Sequence, residues 1–134
     1  MADIRIPDVR DIYFQHKILT NIVRKPQFGS LRVLSEELKA NSSAVPLTLG
    51  GGMYGHLGLL LTSPQNATLS EEGFTIPTNP GPFIPPKKGT ETQIRAAREV
   101  WKEAHYTFHL YQTVVRALIS QVVAAVESPY LAAL

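Results

Sequence analysis

The longest stretch of this chain without glycine or proline extends from Thr90 to Ser128. Because glycine and proline are the strongest helix breakers, their absence predicts one long helix over residues 90–128. Thr90 can cap the first free amides, and Gln93 can reach back to the Thr90 backbone as a capping box. Pro129 ends the predicted helix, since its ring disfavours a helical Ser128 and it has no N–H to donate.

Apolar residues recur along this helix every three or four positions, which is typical of a helix that buries one stripe against helical neighbours. The predicted stripe comprises Ile94, Ala97, Trp101, Ala104, Phe108, Tyr111, Val115, Leu118, Val122 and Ala125. In the second half, further apolar residues lie outside it, namely Leu110, Val114, Ala117, Ile119, Val123 and Val126. We therefore expect the second half to contact another copy of the chain. The predicted interface residues on the helix are Tyr111, Val115, Leu118 and Val122.

The length of the helix supports this expectation. An unbroken helix over residues 90–128 would be roughly 55 Å long, whereas a compact chain of this length has a radius of gyration of only about 14 Å. The helix either kinks, for which the β-branched run at 113–115 is the best place, or part of its stripe is covered by another chain or by sequence outside this one. A kinked helix at the centre of a small bundle is the alternative.

Composition limits the classes of function. The 134 residues form one domain, and the absence of cysteine excludes disulfides and thiolate chemistry. Residues 41–86 contain no lysine or arginine, so the chain has no continuous phosphate-binding stripe. The first residues are too charged for a signal peptide, and no apolar run is long enough to cross a membrane. We expect a cytoplasmic protein without a membrane partner.

Two segments precede the glycine-rich part of the chain. Residues 1–26 are predicted to form an extended arm or a short helix. Residues 27–41 are predicted to form a helix whose apolar positions Phe28, Leu31, Leu34 and Leu38 face the core. Asn41 is the expected left-handed cap of that helix.

Residues 45–62 are predicted to form a glycine-rich loop or a short hairpin. Glycine there allows close approach of a second backbone, so Gly51, Gly52 and His56 are predicted to lie near an intermolecular contact. A phosphate-binding loop is the weaker interpretation, because the spacing matches no nucleotide-binding motif and no basic residue lies nearby. His56 is more typical of a hydrogen-bonded structural histidine than of a catalytic base.

A proline-rich strap follows at 73–89. Bulky apolar side chains lie between its prolines, so we expect the strap to pack across the helices. Binding to another protein as a proline-rich ligand is the less favoured interpretation. On the long helix, His105 and His109 lie four residues apart and share a face, which suits two metal ligands, but no third ligand is evident. The spacing of residues supports no catalytic set of nucleophile, base and orienting group. We therefore expect that the chain is not an enzyme and that it binds no cofactor or small-molecule substrate.

Several stretches resemble the amino-terminal part of Gag-like capsid polyproteins from copia-type LTR retrotransposons. They comprise Lys25-Pro26-Gln27-Phe28, residues 37–41, residues 49–59, the strap before Thr90, and residues 117–131. The resemblance implies a largely helical, self-associating shell protein that packages the RNA of the element. The zinc knuckle and basic tail of that family are absent from this sequence, so RNA would be bound by parts outside it, and the chain is expected to be a fragment.

The predicted fold is therefore mainly α, a small helical domain around one long C-terminal helix. The predicted function is that of a self-assembling capsid domain whose partner is another copy of itself. A helical module that binds a different protein is the alternative, followed by a small nucleotide- or metal-binding protein.

Overall fold

The computed structural model describes residues 6–47, 54–62, 64, 65, 68 and 74–126. Its helices include α1 (Val9–Ile12), α2 (Phe28–Ser43) and α3 (Glu91–Ala125), together with a 3-10 helix at Leu57–Leu60. The described residues form no strand, and their one isolated β-bridge pairs Ile22 with Val126. The prediction of a mainly helical domain around a long C-terminal helix is confirmed.

Helix α3 begins at the predicted cap. The Thr90 hydroxyl accepts a hydrogen bond from the Gln93 backbone N–H at 3.2 Å, and the Gln93 side chain accepts one from the Thr90 N–H at 2.9 Å. The α-helical hydrogen-bond pattern continues without interruption through the β-branched run at 113–115, so α3 is about 52 Å long. It ends at Ala125, before the predicted residue, because Val126 turns to extended geometry and bridges the arm at Ile22.

The buried stripe of α3 differs from the predicted one. Its members are Thr107, Leu110, Val114, Leu118, Gln121 and Ala125. Leu118 and Ala125 belong to both stripes, whereas Leu110 and Val114 were placed outside the predicted one. The difference has a physical cause: two of the six buried residues are polar, so the spacing of apolar residues alone misplaces the buried face.

Helix α2 begins at Phe28, after the Gln27 backbone N–H donates a hydrogen bond to the Ser30 hydroxyl at 2.8 Å. Leu34 is buried, and Leu31 and Leu38 pack partly against the core. The expectation that Phe28 faces the core is wrong, since its side chain is 85% exposed. Neither hydrophobic cluster includes a residue from 28 to 30.

Two clusters of buried side chains lie along the second half of α3. The first consists of Val9, Phe14, Val45, Leu110, Val114 and Leu118. The second consists of Leu19, Ile22, Leu34, Ala125 and Val126. Residues 91–104 contain no buried side chain. The part of α3 that extends beyond the core is therefore its charged first half, and the second half is the central core element.

In the described part of the N-terminal segment, residues 6–26, a single helical turn is followed by an irregular arm. The Asp8 carboxylate accepts hydrogen bonds from the Arg10 and Asp11 backbone N–H groups and so caps the single turn of α1. The rest of the segment to Pro26 is an irregular arm that carries buried apolar side chains into both clusters. This arm covers part of the second half of α3.

The glycine-rich segment forms no hairpin in its described part. Leu57–Leu60 adopt a 3-10 helix instead of a strand, and the His56 backbone N–H donates to the Ser42 carbonyl at 2.9 Å. The strap follows without regular structure from residue 74 to 89. It is fixed to the first half of α3 by Trp101, whose indole N–H donates to the Gly81 carbonyl at 2.7 Å.

Candidate functional site

The exposed apolar face of α3, as the term is used below, lies in the second half of the helix and consists of Ile119 and Val123. Their side chains are 59% and 54% exposed although each is large and apolar. They lie four residues apart and therefore on one side of the helix, roughly 100° and 140° around it from buried Leu118. This is the surface in the second half of α3 that the core does not cover.

The predicted interface residues on α3 occupy different environments. Leu118 is only 6% exposed and belongs to the first cluster, so it is not available to a second chain in this fold. Val122 packs partly against the second cluster. Tyr111 and Val115 are half-buried on the flank between the core and the exposed apolar face. The sequence did contain the signal for Ile119 and Val123, because both were among the apolar residues left outside the predicted stripe.

The arm is attached at the end of α3. The Ile22 backbone N–H donates to the Ala125 carbonyl at 2.7 Å, which fixes the arm beside the last turn of the helix. Val23 follows directly and is 70% exposed. The arm therefore adds one exposed apolar side chain near the C-terminal end of α3.

A buried polar network holds the arm, α2 and α3 together. The Asn41 side chain accepts a hydrogen bond from the His16 N–H at 2.8 Å and donates to the His16 carbonyl and to the Gln121 side chain, both at 2.9 Å. The Gln121 amide also donates to the carbonyls of His16 and Lys17. Asn41 is thus not the left-handed cap that was predicted but a fully buried residue within α2. The network fixes the orientation of α3 and, with it, of the exposed apolar face.

His56 is buried in the core and not at a contact surface. Its ring Nδ1 lies 2.9 Å from the Val45 carbonyl, and since a carbonyl only accepts, Nδ1 carries the proton. Its Nε2 has no hydrogen-bond partner in the described part of the chain. Burial lowers the pKa of His56, and the hydrogen bond to the Val45 carbonyl only partly opposes this. The side chain is therefore a neutral structural donor, and it offers no accessible base. The predicted contact residues Gly51 and Gly52 lie outside the described residues.

His105 and His109 share a face as predicted, and their ring centroids are 4.2 Å apart. His105 also stacks on Trp101, with centroids 4.8 Å apart and ring planes inclined by 22°. The described residues contain no group of three or more histidine, cysteine, aspartate or glutamate side chains that could hold a metal. The two histidines are thus part of a row of aromatic rings along α3 that begins at Trp101, and His105 Nδ1 is buried without a hydrogen-bond partner among the described residues.

Comparison of the chain with protein-family models, with curated proteins and with solved structures gives no match. Among the helices of the described residues, none combines the length and the apolar character needed to cross a bilayer. The interpretation of function therefore depends on the geometry of the surfaces described above.

Proposed function

We propose that this chain is a structural, non-enzymatic domain that assembles with copies of itself, as its resemblance to Gag-like capsid polyproteins of copia-type LTR retrotransposons implies. Assembly takes place in the cytoplasm, and RNA of the element is bound by parts outside this chain. The observation that carries the proposal is the exposed apolar face of α3, where Ile119 and Val123 remain in solvent on the half of the helix that packs into the core.

The free energy of burial favours association through this face. Removing apolar surface from water yields about 25 cal/mol per Å², and two exposed branched side chains on adjacent turns form the centre of a helix contact. The half-buried flank of Tyr111 and Val115 can contribute further area once a second helix approaches. The polar network already fixes the position of α3. The loss of conformational entropy on assembly is therefore small.

Two features explain why the contact is placed on the second half of α3. The first half extends beyond the core but carries charged side chains, including the ion pairs Glu91–Arg95 and Glu99–Lys102. Such a surface is stable in water without a partner. The first half also exposes one large apolar residue, Val100, at 69%, but charged side chains surround it in sequence. The second half exposes two, Ile119 and Val123, on one side of the helix.

The test is the oligomeric state of the purified chain over a wide range of concentration, measured by light scattering coupled to size exclusion and by sedimentation velocity. We expect the mass to rise with concentration, and we expect Val123→Asp to shift the rise to concentrations about tenfold higher or more. Electron microscopy of concentrated samples then shows whether the oligomers form shells.

Ala124→Asp is the matched control. It adds the same charge one residue further along, at an exposed position on another side of the helix, with the same unfavourable interaction with the helix C-terminus. We expect it to assemble as the unmodified chain does. A chain that stays monomeric at the highest concentration would contradict self-assembly and favour a different protein partner, and equal effects of both substitutions would contradict the assigned face.

A further inference from the structure

The C-terminal part of the strap exposes a proline motif. Its sequence is Gly81-Pro82-Phe83-Ile84-Pro85-Pro86-Lys87-Lys88. Ile84 is 79% exposed, and every other residue from 82 to 88 except Phe83 is also exposed. A strap whose role was only to pack across the helices would bury its large apolar side chains. Packing within the chain therefore does not account for Ile84.

The prolines of this motif favour an extended backbone conformation. The proline rings fix φ near −65°, and residues that precede proline, here Ile84 and Pro85, are confined to the extended and polyproline II regions. A polyproline II helix has three residues per turn. The structure has a bend at Pro82 and a turn at Lys87 and Lys88. Within residues 83–86, which lie between them, residues three apart share an edge, so Phe83 and Pro86 lie on one edge and Ile84 and Pro85 on the other two.

The edge with Phe83 is the one that faces the protein, and the contacts are made by Phe83 itself. The Phe83 ring lies 5.9 Å from the Trp101 indole, and the Arg98 guanidinium lies 5.2 Å from the centroid of the same ring. The Trp101 hydrogen bond to the Gly81 carbonyl holds the strap immediately before this point. Pro82, Ile84, Pro85 and Lys87 are all exposed, and they lie on a segment whose start is fixed.

We propose that residues 82–87 are a docking site for a proline-recognition domain of the SH3 type. Such domains bind polyproline II segments in grooves lined by aromatic side chains. In this arrangement, one groove takes Pro82 and the next takes Ile84 with Pro85. An acidic pocket of the partner pairs with Lys87. The ion pairs of the described residues do not involve Lys87 or Lys88, and the strap from 74 to 89 carries no acidic residue.

The attachment at Trp101 contributes to affinity. A free proline-rich peptide loses conformational freedom when it docks, whereas this segment is already restricted by its prolines and by the Phe83 contact. The inference is independent of self-assembly, because the strap lies on the first half of α3 and the exposed apolar face lies on the second half.

The experiment measures binding of the intact chain to a panel of purified SH3 domains with acidic specificity pockets, by isothermal titration calorimetry. We expect at least one domain to bind with micromolar affinity. Pro85→Ala and Lys87→Glu should each weaken that binding by about tenfold or more, and added salt should weaken it through the Lys87 contact.

Pro86→Ala is the matched control, since it removes an adjacent exposed proline on the edge that faces the protein. We expect it to change the affinity by no more than about twofold. Circular dichroism of each variant verifies the fold, and these exposed positions are expected to leave it unchanged. The proposal is overturned if no domain of the panel binds, or if Pro86→Ala weakens binding as much as Pro85→Ala does.

Discussion

Asn41 has no exposed surface, and its amide group joins three parts of the chain. It accepts a hydrogen bond from the His16 backbone N–H and donates one to the His16 carbonyl in the arm. It also donates to the Gln121 side chain on α3. A buried polar group that loses its partner incurs the full cost of desolvation. The cost of removing this side chain is therefore set mainly by the groups that it leaves unpaired.

Asn41→Ala is expected to lower the free energy of unfolding by about 2 to 4 kcal/mol, because it leaves the His16 N–H and the Gln121 Oε1 without their buried partners. Urea denaturation measures the change. Ser43→Ala, at an exposed position of the same helix end, should stay within about 0.5 kcal/mol. A small loss for Asn41→Ala would mean that water replaces the network without cost.

His56 makes the stability of the fold dependent on pH. Its pKa in the folded chain lies below the ordinary value because burial disfavours the imidazolium, although the Val45 carbonyl raises it somewhat. In the unfolded chain the ring takes up a proton near its ordinary pKa of about 6.5. As pH falls below that value, the unfolded state binds more protons than the folded state, so stability is lost.

His56→Gln is expected to remove this part of the pH dependence, since glutamine can donate to the Val45 carbonyl but does not titrate. The free energy of unfolding is measured by urea denaturation from about pH 8 to about pH 5. Below about pH 6.5, the unmodified chain should lose stability more steeply than the variant, by at most about 1.4 kcal/mol per pH unit. Parallel curves would show that His56 is protonated equally in both states.

In the described part of the junction between α2 and the 3-10 helix, Gly55 has a conformation that requires glycine. Gly55 has a φ of +58°, and a Cβ atom there would lie 2.6 Å from the Val45 carbonyl oxygen. Both the backbone conformation and the space therefore require glycine. This junction also places His56 against the end of α2.

Gly55→Ala should lower the free energy of unfolding by about 2 kcal/mol or more. The alanine would be held in the left-handed region of φ, and its Cβ would also clash with backbone atoms. Gly29→Ala is the matched control within α2, where a Cβ meets nothing within 4 Å. It should raise stability by about 0.5 to 1 kcal/mol because alanine favours the helix. Thermal unfolding should show a lower midpoint for Gly55→Ala and a higher midpoint for Gly29→Ala than for the unmodified chain. An unchanged midpoint for Gly55→Ala would contradict the described junction.

The molecule as a whole is arranged along α3. Its second half lies between the arm and α2 and supplies residues to both clusters, whereas its charged first half contacts mainly the strap. Two apolar positions of the second half therefore differ in role. Leu118 belongs to the core, and Val123 belongs to the exposed apolar face.

Leu118→Asp is expected to unfold the chain, because an unpaired carboxylate in the first cluster costs several kcal/mol, a large part of the stability of a small domain. Val123→Asp should keep the fold and change only association. Far-ultraviolet circular dichroism and thermal unfolding distinguish the two results. A folded Leu118→Asp chain would contradict the buried stripe described for α3.

Local signals were sufficient to predict much of the helical architecture. Thr90 and Gln93 cap the helix by hydrogen bonds between residues only three apart. The absence of glycine and proline favours helix at every position from 90 to 128. Both signals can therefore be recognised in the sequence without knowledge of the fold. The leucines of α2 likewise follow the helical period. The sequence by itself thus determined the helical class, the start of α3 and the presence of a strap.

Only the tertiary structure decided which face of α3 is buried. Gln121 is buried because Asn41 and the arm, far away in the sequence, supply its hydrogen-bond partners. Polar residues of this kind have no hydrophobic period, so the pattern placed the stripe on Val115 and Val122 instead of Leu110 and Val114. Burial of a polar side chain depends on partners distant along the chain, and the spacing of residues within one helix carries no information about them.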